Sequence, residues 1–400
     1  MNDASLSIDG FGPLPVVRPA TVAELGDFVR QTRTPIYPFG GRTQIGVGST
    51  PSIMGTAVDL RGLDQVVDFP ARDMTITVQA GIALGRLQQL LTPENLRLPI
   101  DVPQRATATL GGTLAVNVSG QRRFGYGTLR DYVIGISAVN DEGNEFKAGG
   151  RVVKNVAGYD VCKLLVGSFG TLGIISQVTL KLRPCAEEQA FVCIPCRGEK
   201  LAALLDQLLA SRTRPVILDL CNRAGCAAFA PVEADFVAIV GYEGNGDAVK
   251  WQMQQLVKEL AANFTIEARV GSTSQPLDDA LTEWSSAASA RMTLKASLRP
   301  SGVADFMTRA ETWGGQPKLR AHAGNGVAFG HYDDVTVAAA RDLVAKWREL
   351  AAAVVVQKCP PEWKSGIDVW GSPPVDISVM REVKRRFDPR GIFNPGRFVV

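Results

Sequence analysis

Residues 101–184 hold three glycine-rich segments in succession: DVPQRATATLGGTLAVNVSG (101–120), QRRFGYGTLRDYVIGISAVNDEGNEFKAGG (121–150) and RVVKNVAGYDVCKLLVGSFGTLGIISQVTLKLRP (151–184). Apolar runs between the small residues, at 132–139 and 174–182, predict strands. Glycine and serine let backbone N–H groups approach a phosphate without a Cβ in the way. The stretch therefore predicts a nucleotide cradle, although any single glycine of it is equally explained by a turn.

The spacing of these glycines narrows the kind of cradle. Gly111 and Gly112 are adjacent, Gly125 and Gly127 are two apart, and residues 167–173 contain three glycines, a density that turns alone explain poorly. The sequence has no GxxxxGK[ST], and no strand is followed by GxGxxG with an acidic residue about 20 positions later. We therefore expect neither a P-loop nor a Rossmann site.

Five ordered segments carry a resemblance to a known family: PIYPFGGRTQIGVG (35–48), ATLGGTLAVNVSG (108–120), RFGYGTLRDYVIG (123–135), KNVAGYDVCKLLVGSFGTLGII (154–175) and FDPRGIFNPGRF (387–398). Together they resemble the FAD-binding PCMH-type family, which includes vanillyl-alcohol oxidase and the D-2-hydroxyacid dehydrogenases. Within this family, the pattern most resembles the smaller FAD-binding subunit of bacterial glycolate oxidase.

The order of predicted elements indicates an α+β fold class, because sheets and helices do not alternate regularly. Residues 189–270 read as β-α-β-β-α-β, the order of a ferredoxin-like unit. Strands are also expected at 294–298 and 354–358, and helices at 301–313 and 334–352. With the resemblance, we expect a two-lobed PCMH-type FAD-binding domain over 1–184, a ferredoxin-like α/β cap domain over 185–375 for substrate or partner, and a C-terminal segment, 376–400, that packs on the FAD domain.

The resemblance implies which residues hold FAD. Gly40, Gly41, Arg42 and Thr43 would wrap the pyrophosphate, mainly through backbone donors. A second wall would be formed by Pro103, Thr109, Gly111, Gly112 and Thr113. The residues near the ribityl chain or the flavin ring would be Asn117, Ser119 and Gly120. The residues on the adenosine side would be Gly125, Arg130, Asp131, Gly170, Gly173 and Ile174, of which Gly125, Arg130 and Asp131 are equally explained as structural.

Two histidines bear on attachment and catalysis. Some family members tether FAD through histidine or cysteine, but this chain has just His322 and His331, and no cysteine precedes Cys162, so we expect non-covalent FAD. Catalytic 2-hydroxyacid dehydrogenases of the family carry HxGDGNxH, whose histidines can hold a metal. Here the stretch is HAGNGVAFGH (322–331), in which Phe329 occupies the second histidine slot. We therefore expect no metal, and His322 either as a catalytic acid/base or as a hydrogen-bonded structural histidine.

Composition excludes several classes of protein. The 43 basic and 40 acidic residues are interspersed, and the net charge of +3 does not favour a nucleic-acid partner or an anionic membrane surface. The sequence shows no signal peptide pattern and no long apolar run, so a cytoplasmic protein is expected, peripheral to the inner membrane through a complex. Seven scattered cysteines predict reduced thiols, and Cys193 with Cys196 in a strand makes a poor metal or redox pair.

The resemblance implies three alternative functions. The first is an FAD-binding subunit of a glycolate oxidase complex, which supports oxidation of glycolate to glyoxylate. Its partners would be a larger FAD-containing catalytic subunit and an iron–sulfur subunit that receives the electrons. The second is a self-sufficient FAD-dependent dehydrogenase of a small 2-hydroxy acid such as D-lactate, and the third is a scaffold with a relic flavin site. Lys295, Arg299, Arg320, Trp363 and Lys364 are candidates to meet a carboxylate substrate or a neighbouring subunit.

Overall fold

The computed structural model describes residues 5–150, 160–230, 233–286 and 289–399. The segment 154–159 of the fourth family-like motif lies outside these ranges. The strands are β1 Ser5–Ile8, β2 Phe11–Val17, β3 Ile36–Phe39, β4 Thr56–Asp59, β5 Val66–Asp68, β6 Thr75–Gln79, β7 Leu96–Arg97, β8 Val133–Val139, β9 Glu145–Gly149, β10 Ile174–Lys181, β11 Arg183–Pro184, β12 Glu188–Cys196, β13 Ile217–Asn222, β14 Phe236–Gly244, β15 Glu267–Val270, β16 Met292–Ser297, β17 Lys318–His322, β18 Val327–Tyr332 and β19 Ala353–Lys358.

The α-helices are α1 Val22–Gln31, α2 Leu84–Leu91, α3 Leu110–Val116, α4 Arg123–Tyr126, α5 Leu129–Tyr132, α6 Cys162–Leu165, α7 Leu201–Ala210, α8 Arg223–Cys226, α9 Gly246–Leu260, α10 Gln275–Glu283, α11 Val303–Glu311, α12 Val337–Leu350 and α13 Ile377–Phe387. Across the described ranges, no helix combines the length and hydropathy that crossing a bilayer requires.

The chain divides into two compact units. The first contains residues 1–118, 128–185 and 372–400, and the second contains 119–127 and 186–371. The division lies close to the predicted boundaries at 184 and 375, but it assigns 119–127 to the second unit rather than the first. Arg122 explains that assignment, since its guanidinium donates to both carboxylate oxygens of Asp278 at 2.9 and 2.8 Å and to Glu243 at 2.6 Å.

The first unit contains two main sheets. One has the strand order β1-β2-β4-β3, with β2, β4 and β3 parallel, and the other is antiparallel in the order β5-β6-β10-β8-β9. Helix α1 begins at the N-cap Thr21, whose side chain accepts from Glu24 N. Its buried Leu25 and Val29 join Ile36 and Val58 in one apolar cluster. Helix α1 is thereby fixed beside β3, the strand that leads into the first glycine turn.

The C-terminal segment completes the first unit. Asn394 N donates to Ile36 O at 3.0 Å, so the segment pairs with the edge of β3. The buried carboxylate of Asp388 accepts from the N–H groups of Ile392 and Phe393 at 3.1 and 2.9 Å. Lys384 of α13 donates to Thr171 O at 2.8 Å and to Asp388.

The second unit is built on one antiparallel sheet in the order β15-β12-β14-β13-β17-β18-β16-β19. Its first half follows the predicted ferredoxin-like order, and its second half, β16-α11-β17-β18-α12-β19, repeats it. Strands β17 and β18 were not among the predicted strands, because glycine, alanine and histidine weaken their apolar alternation. They pair at the centre of the sheet, with His322 opposite Val327 and Arg320 opposite Phe329.

The two faces of this sheet have different cores. On β12, Val192 and Ile194 belong to the larger apolar cluster, which includes α7, α9, α11 and α12, whereas Cys193 belongs to a smaller cluster with α10. Cys196 joins the larger cluster, so the two thiols of the CxxC point to opposite faces of the sheet, as a spacing of three in a strand requires. Trp363, considered for a partner-facing loop, is buried in the larger cluster as well.

Candidate functional site

A large cleft opens in the first unit. It contains about 960 Å³ of empty space including its open mouth, within the range of small-molecule and cofactor sites. The turn after β3, helix α3, the start of β10 and the C-terminal segment form its walls. Its lining residues are Ile8, Pro38, Phe39, Gly40, Gly41, Arg42, Thr43, Gln44, Ile45, Val47, Leu60, Ala80, Thr109, Gly111, Gly112, Thr113, Ala115, Val116, Phe169, Gly170, Gly173, Ile174, Ile175, Asn394 and Arg397.

The turn after β3 requires glycine because the segment 107–109 packs closely against it. A Cβ on Gly40 would lie 2.0 Å from Thr109 Oγ1, and a Cβ on Gly41 would lie 1.8 Å from Thr107 O. Within the described residues, the N–H groups of Gly40, Gly41 and Thr43 have no protein acceptor. Successive N–H groups left open along a turn form a concave site for an anion.

Arg42 and Arg397 add positive charge to this wall. Arg42 has a φ of 61° and places its guanidinium 4.8 Å from the ring centroid of Phe39. Buried Arg397 donates to Val47 O at 2.8 Å, to Ser49 O at 2.7 Å and to Ile45 O. Because C=O and the next N–H of a trans peptide point in opposite directions, these bonds turn the following N–H groups of the loop away from Arg397. Burial lowers the pKa of Arg397, opposed by Asp9.

Helix α3 contributes to the cleft wall, but the N–H groups of its first turn are bonded within the protein. Leu110 N donates to Ile82 O at 2.9 Å and Gly111 N to Ala80 O at 2.7 Å, while Gly112 N donates to Thr109 Oγ1 at 3.4 Å. The first-turn donors of this helix therefore already have protein acceptors, so Gly111 and Gly112 line the cleft without offering it open N–H groups. Gly111 is required because a Cβ there would lie 2.8 Å from the Ala80 side chain.

The C-terminal end of α3 presents an unsatisfied polar atom. Asn117 has a φ of 56° and ends the helix, and its side-chain Oδ1 is buried with no hydrogen-bond partner within the described ranges. Gly167 N and Phe169 N donate to Leu114 O and Ala115 O at 2.9 and 2.8 Å, which ties the 167–170 turn to the same helix end. Asn394 Nδ2 donates to Phe169 O at 2.6 Å and braces this turn.

Most of the predicted cofactor residues meet at the cleft. Those that line it are Gly40, Gly41, Arg42, Thr43, Thr109, Gly111, Gly112, Thr113, Gly170, Gly173 and Ile174. Pro103, Asn117, Arg130 and Asp131 belong to the same unit without lining the cleft, whereas Ser119, Gly120 and Gly125 belong to the second unit.

Asp131 and Gly125 have structural partners. Asp131 Oδ2 accepts from Thr128 N at 2.8 Å and closes a capping box, which is the structural role left open for it. Gly125 N donates to Val216 O at 3.0 Å within the second unit, so its placement in the FAD-binding domain is wrong.

Sequence reasoning missed several cleft residues. Asn394 and Arg397 lie in FDPRGIFNPGRF, which was recognised as a motif, yet no residue of it was assigned to the site. The apolar lining, such as Ile45, Val47 and Phe169, carries no local signal that separates it from an ordinary core. The motif itself was the signal by which Asn394 and Arg397 could have been found.

His322 lies in a buried ionic cluster of the second unit. Its Nδ1 is 2.7 Å from Asp219 Oδ1, and Arg320 donates to Asp219 Oδ2 from Nε at 2.8 Å and from Nη2 at 2.5 Å. Burial lowers the pKa of His322, although Asp219 opposes this effect. Arg320, a candidate to meet a carboxylate substrate, is already engaged by Asp219. Nε2 of His322 has no protein partner in the described part of the chain.

Lys295 lies on β16, which β18 separates from the strand of His322, and it is on the same sheet face as His322. It pairs in register with Phe329, its Nζ is 6.0 Å from the ring centroid of Phe329, and the His322 ring lies 5.5 Å from that centroid. Burial, with a smaller contribution from Arg123, lowers the pKa of Lys295 to about 8. Among the described residues, no carboxylate pairs with this ammonium.

His331 is fully engaged in structural contacts. Its Nδ1 is 2.9 Å from Thr293 Oγ1, its Nε2 is 3.0 Å from Trp284 O, and its ring lies 4.2 Å from that of Trp284. On β17 and β18 the register places His331 four residue pairs from His322, about 13 Å along the strands. The two histidines therefore cannot share one metal ion, and the described residues contain no group of three or more His, Cys, Asp and Glu suited to hold one.

Six of the seven cysteines are buried, Cys185 is partly exposed, and none forms a disulfide. Burial raises the pKa of Cys193 and Cys196 to about 11. A thiol with a raised pKa is a poor nucleophile and metal ligand at neutral pH.

Comparison with known proteins agrees with the geometry of the cleft. An FAD binding domain model matches residues 13–149, and a model of the C-terminal domain of FAD linked oxidases matches residues 372–398. Both matches fall largely in the first unit, which is therefore similar to the FAD-binding part of FAD linked oxidases. Its cofactor is FAD, and the open N–H groups of Gly40, Gly41 and Thr43 beside Arg42 fit a diphosphate.

Relatives of this FAD-dependent oxidoreductase cover nearly all of the chain or a smaller share of it. The chain is 25% identical to glycolate oxidase subunit GlcD of Bacillus subtilis, over 96% of this chain and 88% of the relative. It is 32% identical to glycolate oxidase subunit GlcE of Escherichia coli, over 38% of this chain and 43% of that relative.

A solved structure of alkyldihydroxyacetonephosphate synthase superposes on the oxidoreductase with a TM-score of 0.71. It has 18% sequence identity, and the match covers 96% of this chain and 77% of the synthase chain. At this identity the likeness shows the fold alone.

Proposed function

We propose that this protein is an FAD-dependent oxidoreductase that oxidises a small 2-hydroxy acid. The observation that carries the proposal is Lys295, a partly buried side chain whose ammonium pairs with no carboxylate among the described residues. A buried charge without a partner is strongly unfavourable, so such a group is retained where it meets an opposite charge on a ligand. A substrate carboxylate has that charge, and Arg123 lies close enough to affect the pKa values of both Lys295 and His322.

His322 supplies the second requirement of this chemistry. Oxidation of a 2-hydroxy acid removes a proton from the hydroxyl group and a hydride from the carbon that bears it. Bound FAD supplies the hydride acceptor. The Nε2 atom of His322 accepts the hydroxyl proton, since Nδ1 is held by Asp219 and burial keeps the ring neutral at neutral pH. The side-chain oxygen of Asn325, in the turn that follows His322, is buried without a described partner and offers a further hydrogen-bond acceptor.

The first unit holds FAD through the turn after β3. The N–H groups of Gly40, Gly41 and Thr43, with the guanidinium of Arg42, bind the diphosphate. Gly170 and Gly173 line the part of the cleft that we assign to the adenosine side.

A narrower role is supported by the relatives. Two of them are named as subunits of glycolate oxidase, and His322 and His331 lie too far apart to hold one metal. We therefore propose, as a second candidate, a smaller FAD-binding subunit of a glycolate-oxidase-like complex. It would act beside a larger FAD-containing subunit that oxidises glycolate and an iron–sulfur subunit that receives the electrons.

Anaerobic titration of the purified chain separates these proposals. The flavin absorption band is recorded, glycolate or D-lactate is added, and the Lys295→Met and Lys250→Met variants are compared. Lys250 is exposed on α9 and serves as the matched control. Bleaching in the native chain and Lys250→Met, but not in Lys295→Met, supports a self-sufficient oxidoreductase. A yellow chain that stays oxidised contradicts it and favours the complex subunit, and a colourless chain contradicts the assigned FAD contacts.

A further inference from the structure

Asp219 is the acidic partner of His322 and lies far from it in the sequence. It is on β13, directly opposite His322 of β17 in the antiparallel register, and its side chain is fully buried. One carboxylate oxygen faces His322 Nδ1 at 2.7 Å, and the other accepts two hydrogen bonds from Arg320. Both oxygens of the carboxylate are therefore assigned to specific partners.

Arg320 is itself held in place. Its Nη2 also donates to Gln121 Oε1 at 3.2 Å, and its Nη1 donates to Leu281 O. Gln121 in turn donates to Thr282 Oγ1 at 2.9 Å. The guanidinium is thus anchored by α10 and by the segment 119–127, and it fixes the orientation of the Asp219 carboxylate.

We propose that Asp219 is the positioning residue of the site: it holds His322 as the Nδ1–H tautomer and leaves Nε2 as the proton acceptor. An ionised carboxylate can only accept hydrogen bonds, so the imidazole nitrogen that faces it carries the proton. A neutral imidazole has one N–H, and Nε2 is then without a proton. Burial would raise the pKa of Asp219, but Arg320 and His322 outweigh it and the pKa is lowered. The inference rests on the proposed function, in which Nε2 takes the substrate proton.

The Asp219→Asn variant reverses this arrangement for a geometric reason. Arg320 presents two donors to Oδ2, so the amide oxygen of the introduced asparagine takes that place. The amide NH₂ then faces His322 Nδ1 and can only donate to it. The imidazole must shift its proton to Nε2, where it can no longer accept one from a substrate.

Nitrogen-15 NMR of histidine-labelled full-length protein at neutral pH reads the tautomers directly. The chain has two histidines, and His322→Gln assigns the remaining signal to His331. His331 is an internal reference of the opposite tautomer, because its Nε2 faces the carbonyl oxygen of Trp284 and so carries the proton. We expect Nδ1–H for His322 in the native chain, Nε2–H in Asp219→Asn, and no change at His331.

Two results overturn the inference: an Nε2–H tautomer of His322 in the native chain, or an unchanged tautomer in the folded Asp219→Asn variant. The native spectrum tests it even if that variant does not fold. In the anaerobic assay we expect Asp219→Asn to reduce kcat by about 100-fold with little change in KM. If the native chain shows Nδ1–H but oxidises no 2-hydroxy acid, the proposed function is wrong and the positioning of His322 by Asp219 stands.

Discussion

Replacement of Lys295 by methionine should make the protein more stable. Methionine fills similar space without a charge. Burial, aided by Arg123, lowers the pKa of Lys295 from 10.5 to about 8. At about 1.4 kcal/mol for each tenfold change in an equilibrium constant, the charged form costs the folded state about 3 kcal/mol at pH 7. Lys295→Met should raise the free energy of unfolding by an amount of this order.

The sign of the pH dependence follows from the lowered pKa. Below about pH 8, Lys295 is protonated in both states and the cost is fully present. Between about pH 8 and pH 10.5 the folded state loses its proton first, so the native protein gains stability as the pH rises. The difference between Lys295→Met and the native protein should therefore be largest at pH 7 and shrink towards pH 10.5.

Urea unfolding of FAD-free protein at pH 7 and pH 10 measures this difference, with Lys250→Met as the control for loss of an exposed lysine. Oxalate, an unreactive dicarboxylate, should raise the unfolding midpoint of the native protein and of Lys250→Met but not that of Lys295→Met. A Lys295→Met protein that is less stable than the native one at pH 7, or a difference that does not change with pH, would refute the account of Lys295 as a buried cation that awaits a ligand.

Three further substitutions test the FAD-binding unit. Gly41→Ala should lower the ratio of bound FAD to protein at least tenfold, because its Cβ would lie 1.8 Å from a backbone oxygen. Gly46→Ala, in the same turn, meets its nearest atom at 3.6 Å and should keep FAD. Equal flavin content in the two variants would contradict the assignment. Arg397→Met should weaken FAD binding by about tenfold, since it removes the hydrogen bonds that orient the 45–49 loop. Flavin fluorescence on dilution measures this affinity, and an unchanged value would show that the loop holds its shape without those bonds. Asp388→Asn should destabilise the protein by about 1–3 kcal/mol in thermal or urea unfolding, because a neutral amide replaces the buried carboxylate that accepts hydrogen bonds from the C-terminal segment. A free energy of unfolding equal to that of the native chain would argue against this anchoring role.

Local patterns predicted the elements whose signal lies in a few consecutive residues. The strands at 132–139 and 174–182 and the β-α-β-β-α-β order after residue 188 follow from apolar periodicity and turn residues, and the structure contains them. Strands β17 and β18 escaped because their small residues break the alternation of apolar and polar positions. They are strands because neighbours in the sheet pair with them, which no local window contains.

The sequence by itself predicted a cofactor cleft built from glycine turns, and it left His322 open between acid/base chemistry and a structural hydrogen bond. The sequence did not separate N–H groups that remain open, such as that of Gly40, from N–H groups that already have acceptors, such as that of Gly111. The acceptor of Gly111 N is the carbonyl oxygen of Ala80, which lies 31 positions earlier, directly after β6. Tertiary structure alone placed Asp219 beside His322, 103 residues along the chain. The physical reason is that hydrogen-bond pairing depends on strand register, which many distant contacts set together, whereas glycine content acts through the conformation of a single residue.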